Sequence, residues 1–329
     1  MTMMTPSRRR ALGLLTAASL AALPQLATAQ AYPTKPVKII VPFAAGGRAD
    51  ALARMLAQGL QEQMGQPFVV ENRGGASGSL GSDLVAKAPP DGYTLLLAST
   101  GTQAILPKIT AKLPYDADRD FTPIALMVES YSFIGVHPGV KAANLKEFVD
   151  LARARPGEFN YASSGVGTYN HFAGEFFNIA AGTKITHIAY RGSGPSVNDL
   201  VAGHVQMMIG GEFVEVAQAG KVRILATTNP QRWPGLPDIP TMKEAGLAEF
   251  SAPPLWFGLL GPGGMPRELV EKLNQAANKA MSDPRTVERV KAAASIVRSE
   301  SADAFASLIK AEQKAFGDVA KQTNMKFEE

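Results

Sequence analysis

The chain has 329 residues, no cysteine and a formal net charge of +4. Without cysteine there is no disulfide framework and no acceptor for a lipid anchor, and no clustered basic run offers a nucleic-acid surface. Apolar residues make up 46% of the chain, enough for a large core, and a chain this long commonly divides into two domains.

The first 29 residues read as an export signal. Arg8, Arg9 and Arg10 form a basic start, Ala11 to Leu23 is an apolar stretch too short to cross a bilayer, and Ala27-Thr28-Ala29 has the small-x-small pattern of a cleavage site. The expected mature chain starts at Gln30 and lies outside the cytoplasm. Ser7-Arg8-Arg9 resembles a twin-arginine signal, but Ala11 stands where a large apolar residue is usual, so both export routes stay open. Removing three arginines leaves 30 basic residues against 29 acidic ones, so most of the excess positive charge belongs to the signal. No later apolar run is long enough for a membrane span.

After the signal, strands alternate with helices. Val37 to Pro42 reads as a strand, Ala44 to Gly47 as a glycine loop, and a helix opens near Arg48–Asp50. Phe68-Val69-Val70 is a strand leading through the Gly74–Gly81 run into a helix. Tyr93 to Ala98 is an apolar strand followed by Ser99-Thr100-Gly101-Thr102. Two strand-like runs fall between Ala125 and Val136. Asn144 and Glu147 form a capping pair for a helix ending near Pro156. Phe159 to Ala162 is a strand, followed by the loop Ser163 to Thr168 and a helix from Tyr169 to Ala181. Thr186 to Tyr190, Val205 to Ile209 and Ile224 to Thr227 are further strands, and Pro266–Met281, Pro284–Ala294 and Ala302–Gln322 are helices covering a sheet. This alternation predicts α/β domains with mostly parallel sheets flanked by helices.

In open α/β sheets ligands sit beyond the carboxyl ends of strands. Four loops there carry glycine or hydroxyl residues: Ala45, Gly46 and Gly47; Thr100 and Thr102; Ser163, Ser164, Gly165, Gly167 and Thr168; Arg191 and Ser193. Each alone is as well explained by a turn or a helix cap. Together they point to a shared anion cleft, because free N–H groups and the helix dipole make helix N-termini anion sites. Thr168, at the start of the helix at Tyr169, is expected to meet the ligand carboxylate with its hydroxyl and amide, or to serve only as the helix cap. Arg48 puts a cation where the dipole disfavours it. It could grip the distal acid group of a dicarboxylate, be solvated, or pair with Asp50. His171 follows the Ser163–Thr168 loop closely and reads either as a cleft residue or as a packing histidine. His187 and His204 read as structural.

Catalytic motifs are missing. No Gly-x-Ser-x-Gly elbow surrounds Ser77, Ser164 or Ser193, no Walker loop occurs, and the G-x-x-G-x-x-G run at Gly75–Gly81 reads as a flexible turn with close helix packing. The four histidines show no metal-ligand spacing. No metal, cofactor or nucleic acid is expected.

The order and spacing of several short motifs resemble the Bug family, the periplasmic binding component of tripartite tricarboxylate transporters. The resemblance runs along almost the whole mature chain. It is carried by Tyr32-Pro33-x-Lys35-Pro36-Val37, Val41-Pro42-Phe43-x-x-Gly46-Gly47-x-x-Asp50, Val70-Glu71-Asn72-Arg73-x-Gly75-Ala76 and Asp91-Gly92-Tyr93-Thr94-Leu95. Further matches are Ala162-Ser163-Ser164-Gly165-x-Gly167-Thr168-x-x-His171, His187-x-x-Tyr190-Arg191-Gly192-Ser193, Leu236-Pro237-Asp238-Ile239-Pro240-Thr241-x-x-Glu244-x-Gly246 and Trp256-x-Gly258.

The resemblance implies a two-lobed, Venus-flytrap receptor for small carboxylates. Residues 30–131 with 255–329 would form one lobe and residues 132–254 the other, with crossings near Ser130–Phe133 and Ala252–Trp256. It implies that loops matching Phe43–Gly47 and Ser163–Thr168 hold a ligand carboxylate, and that a monomer works with membrane transporter subunits or a sensor kinase. The sequence departs from the family pattern at Arg48, where small residues are common, at Gly210-Gly211-Glu212, where an Asp often stands, and at Gly264-Met265. Three functional classes follow: a periplasmic receptor for a small organic acid, a solute sensor presenting its ligand state to a signalling partner, and a secreted hydrolase, which the missing nucleophile motif disfavours.

Overall fold

The computed structural model describes residues 32–250 and 252–323, so the export-signal reading lies outside the described residues. In chain order, β1 (Val37–Val41), α1 (Arg48–Met64), β2 (Phe68–Asn72), α2 (Ser79–Ala86), β3 (Thr94–Ser99), α3 (Leu106–Ile109) and β4 (Phe121–Ser130) come first. Next are β5 (Phe133–Val136), α4 (Leu145–Ala154), β6 (Asn160–Ser163), α5 (Tyr169–Ala181), β7 (Thr186–Ala189), α6 (Ser193–Ala202), β8 (Met207–Gly210), α7 (Val214–Gln218) and β9 (Arg223–Thr227). The chain ends with β10 (Leu255–Pro262), α8 (Arg267–Met281), α9 (Pro284–Ala292), β11 (Ser295–Val297) and α10 (Ala302–Thr323).

The strands form two sheets: a six-stranded one in the order β11-β4-β10-β3-β1-β2, and a five-stranded one in the order β7-β6-β8-β5-β9. The chain passes from the first to the second between Ser130 and Phe133 and returns between Thr227 and Leu255. Both sheets lie in the compact unit that begins at Lys35.

Parallel pairing was expected to dominate. Among the described strands, four pairings are parallel (β1 with β2 and β3, β6 with β7 and β8) and five are antiparallel. The difference arises where each sheet receives the chain crossing between the two. β10 returns against both β3 and β4, and β5 enters against both β8 and β9. β10 was not expected as a strand at all. Its run Leu-Trp-Phe-Gly-Leu-Leu-Gly-Pro is buried at every position, so it lacks the alternation that marks a half-exposed strand.

Each sheet has its own apolar core. Trp256, Phe305, Phe121 and Tyr115 pack around β3 and β4, and Phe133, Phe213 and Trp233 pack around β5 and β8. The Trp256 ring meets Phe305 edge-on at 5.0 Å, and its indole N–H donates to Glu312 at 2.6 Å. Burial pushes the Glu312 carboxyl up to about 8, against the opposing pull of that hydrogen bond, so it is held largely as a neutral acid. The capping pair at α4 is present: the Asn144 side chain accepts the Glu147 N–H at 2.9 Å, and Glu147 accepts the Ala143 N–H at 2.7 Å. Among the described residues no helix is long and apolar enough to cross a membrane.

Candidate ligand-binding site

The loops that leave β1, β3, β6 and β7 converge on one cavity of about 540 Å³, its open mouth included. Three helices begin on its wall: α1 after Gly47, α5 after Thr168 and α6 after Gly192. None of the three has a side-chain cap. Side-chain caps are present at α4 and α9, from Asn144 and Asp283, whereas α2, α7 and α8 also lack one. An uncapped helix start presents unpaired N–H groups and roughly half a positive charge, so three of them on one cavity favour an anion.

The loops approach one another across the gap between the sheets. A Cβ on Gly47 would stand 2.9 Å from Ser193 Oγ, and one on Gly101 would stand 3.7 Å from the Tyr169 amide. Phe43, Leu255 and Phe257 give the cavity an apolar side. Hydroxyls come from Ser77, Ser99, Ser164, Thr168 and Ser193. Ala76 and Ser77 have φ of 45° and 54°, a left-handed conformation that side chains adopt at a cost of about 1–2 kcal/mol. In the same run Gly78 and Gly81 pack against Pro42, which accords with the close-packing reading of Gly75–Gly81.

Of the residues singled out from the sequence, Phe43, Gly47, Arg48, Ser164, Thr168 and Ser193 line the cavity. Gly46 lines a second, outer groove, while Ala45 and Arg191 are exposed to solvent. The others stand behind the wall. Asp50 accepts the Gly46 N–H at 3.0 Å and pairs with Arg54 at 3.0 Å, so it closes the first loop rather than meeting Arg48. Burial pushes its carboxyl up, but Arg54 and the Gly46 N–H outweigh that and leave it below the usual range. Thr100 accepts the Trp256 N–H at 2.9 Å, and Thr102 accepts the Ser99 N–H at 3.2 Å.

His171 does not line the cavity. Its Nδ1 accepts the Gly167 N–H at 3.0 Å, and its ring stacks on His187 at 3.7 Å. Burial brings the two imidazoles down to about 3 and about 4, so both are neutral at ordinary pH. His187 Nε2 lies 2.6 Å from Ser163 Oγ, which also donates to Gly165 O at 3.0 Å. Thr168 occupies the cap position of α5, but its hydroxyl donates to Gly165 O at 2.7 Å instead of accepting a helix N–H. The predicted cap is therefore a loop clamp. Gly165 and Gly167 sit at φ of 144° and 72°, where glycine is the natural choice.

Sequence reasoning did not reach Tyr169, Asn170, Leu255 or Phe257; it weighed Ser77 only as a nucleophile and noted Glu212 only as a departure. Asn170 accepts from Ser164 Oγ at 3.1 Å and donates to Ile209 O at 2.6 Å, joining two loops. Burial pushes the Tyr169 hydroxyl up to about 12, with Thr228 and Ser132 pulling it back, so it stays protonated. Arg48 and Glu212 are the charged side chains of the wall. Arg48 Nη2 donates to Ala293 O at 3.0 Å, while its buried Nη1 has no protein acceptor. Burial lowers the Arg48 pKa, and the negative charge of Glu212 partly restores it. A guanidinium stays charged under such pressure. Among the described residues no three metal-ligating side chains gather.

Residues 52–325 match the profile of the tripartite tricarboxylate transporter family receptor. The chain is 37% identical to protein BugT of Bordetella pertussis over 264 residues, 79% of this chain and 81% of that one. It superposes on an R. palustris protein solved with adipate at a TM-score of 0.86 and 32% identity, covering 90% of this chain and 99% of that one. It superposes on MatC of Rhodopseudomonas palustris with bound malate at 0.84 and 31% identity, covering 88% and 99%. The chain thus belongs to the tripartite tricarboxylate transporter receptor family, the Bug proteins.

Proposed function

We propose that this protein captures a small organic acid, a mono- or dicarboxylate, in the cavity between its two sheets and delivers it to membrane transporter subunits. The observation that carries this reading is the convergence of three uncapped helix N-termini on one apolar-sided cavity. The adipate and malate held by the two R. palustris relatives support the ligand class. The carboxylate is held by N–H groups at the starts of α1, α5 and α6 and by the hydroxyl of Ser193, while the Ser164 and Thr168 hydroxyls brace the loop through Asn170 and Gly165. Residues 30–131 with 255–329 act as one lobe and residues 132–254 as the other. They close over the ligand and strengthen its hydrogen bonds by excluding water. The protein acts in the periplasm as a monomer, and it binds without metal or cofactor.

The reading is of a binder rather than a catalyst. Ser163 and His187 would be the natural nucleophile and base, but Ser163 is fully buried outside the cavity and its hydroxyl is spent on Gly165. The decisive experiment is mass spectrometry of ligand released from purified, denatured protein, followed by a thermal-shift panel of organic acids. An acid at ~100 times its Kd adds about 2.7 kcal/mol of stability. A panel spanning aliphatic, aromatic and amino acids with no stabilising member would overturn the proposal.

A further inference from the structure

Arg48 stands at a boundary. The cavity on one side and the outer groove on the other share four lining residues: Gly47, Arg48, Ser193 and Glu212. The arginine is therefore part of the partition between them. It is fixed there by two contacts, the bond from Nη2 to Ala293 O at 3.0 Å and the close seat of its guanidinium against Gly211. What remains is Nη1, buried and without a protein acceptor. A buried charged donor left unpaired is costly, and an acceptor arriving with a ligand removes that cost.

Glu212 has the opposite status. Its Oε2 accepts the Gly211 N–H at 2.9 Å, and its Oε1 lies 3.5 Å from Asn170 Nδ2. The carboxylate acts on Arg48 through its charge but makes no ion pair with it, unlike Asp50 with Arg54 at 3.0 Å. Of the two charges on the wall, the unmet hydrogen-bonding capacity is thus on the cation.

We propose that Arg48 is the end wall of the cavity and that its free Nη1 takes the second carboxylate of a short dicarboxylate. The residue then sets both the charge and the length of the acid accepted. The first carboxylate lies on the helix N-termini and the second on Arg48, and a longer chain meets the arginine before it can reach the outer groove. This rests on the carboxylate reading and goes further by naming the ligand as a short diacid.

The test is calorimetry with linear diacids from malonate to suberate and the monoacids of equal length, on the wild type, Arg48→Ala and Glu212→Gln. The wild type should favour its best short diacid over the matched monoacid by about 10- to 100-fold, the range of one hydrogen bond to a charged group. Arg48→Ala should bring that ratio within about threefold and move the preferred diacid to a longer chain. Glu212→Gln removes an anion beside the second carboxylate, so it should tighten diacid binding selectively, and it serves if Arg48→Ala fails to fold. An unchanged diacid-to-monoacid ratio in folded Arg48→Ala, or weaker diacid binding by Glu212→Gln, overturns the assignment. A wild type that binds monoacids as well as diacids overturns it while leaving the carboxylate function standing. A wild type that binds no acid overturns both.

Discussion

The guanidinium of Arg48, at the start of α1, is seated against the α-carbon of Gly211 in the turn after β8. A side chain at position 211 would overlap Arg48 Nη2 and stand 2.5 Å from the Tyr131 carbonyl. The arginine fits because the residue facing it has no side chain. Gly211→Ala is accordingly an overpacking change with a rigid carbonyl on one side. It should cost about 1–3 kcal/mol in chemical denaturation and weaken binding of the stabilising acid. A stability within about 0.5 kcal/mol of the wild type would show that the turn yields freely.

Thr168 separates a cap from a clamp. Its hydroxyl holds Gly165 O, so Thr168→Ala loses one hydrogen bond, about 0.5–1.5 kcal/mol, and frees the loop that carries Ser164. Acid affinity should fall by more than that stability loss explains, and Thr168→Ser should restore most of both. Affinity by calorimetry that is unchanged in Thr168→Ala would confine the residue to holding the loop.

Two buried groups, His171 and Glu312, and the half-buried His187 set the pH dependence of stability. His171 and His187 are depressed to about 3 and about 4 by burial, so their contribution is present above about 6.5 and is lost as pH falls through those values. Glu312 is raised from 4.5 to about 8, so its contribution is present below 4.5 and is lost as pH rises to about 8. Each group in its window moves stability by up to about 1.4 kcal/mol per pH unit. Between 4.5 and 6.5 the two histidines outweigh the one glutamate, and above 6.5 the glutamate acts alone. Maximum stability is therefore expected near pH 6.5, with a decline toward pH 8. Melting temperatures from pH 4 to 9 check this, and a maximum at or above pH 8 would refute it.

Glu312→Gln isolates the alkaline arm of that profile. The amide keeps an oxygen for the Trp256 indole N–H and cannot ionise. The variant should match the wild type near pH 5 and exceed it by a few kcal/mol at pH 8.5. An equal decline above pH 6.5 in both proteins would assign the slope to another group.

The sequence by itself determined the element pattern and the kind of site. Glycine and hydroxyl residues after strands, followed by helix starts, mark anion-binding loops because local backbone geometry and the helix dipole need nothing beyond neighbouring residues. Gly47, Ser164, Thr168 and Ser193 were legible for that reason, and each lines the cavity. Tertiary structure decided what depends on distant partners. β10 could not be read because burial on both faces erases the alternation that identifies a strand. His171 looked like a cleft residue from its spacing, yet stacking on His187, sixteen positions away in the chain, turns it behind the wall. Arg48 was legible as a cation at a helix start that could grip a distal acid group, be solvated or pair with Asp50, and local sequence could not choose among the three. Its seat against Gly211, its tether to Ala293 and its unpaired Nη1 exist only where segments more than 160 residues apart in sequence meet. Charge type and loop chemistry are local properties of a chain. Which charge is left unpaired, and which cavity it closes, is settled by long-range packing.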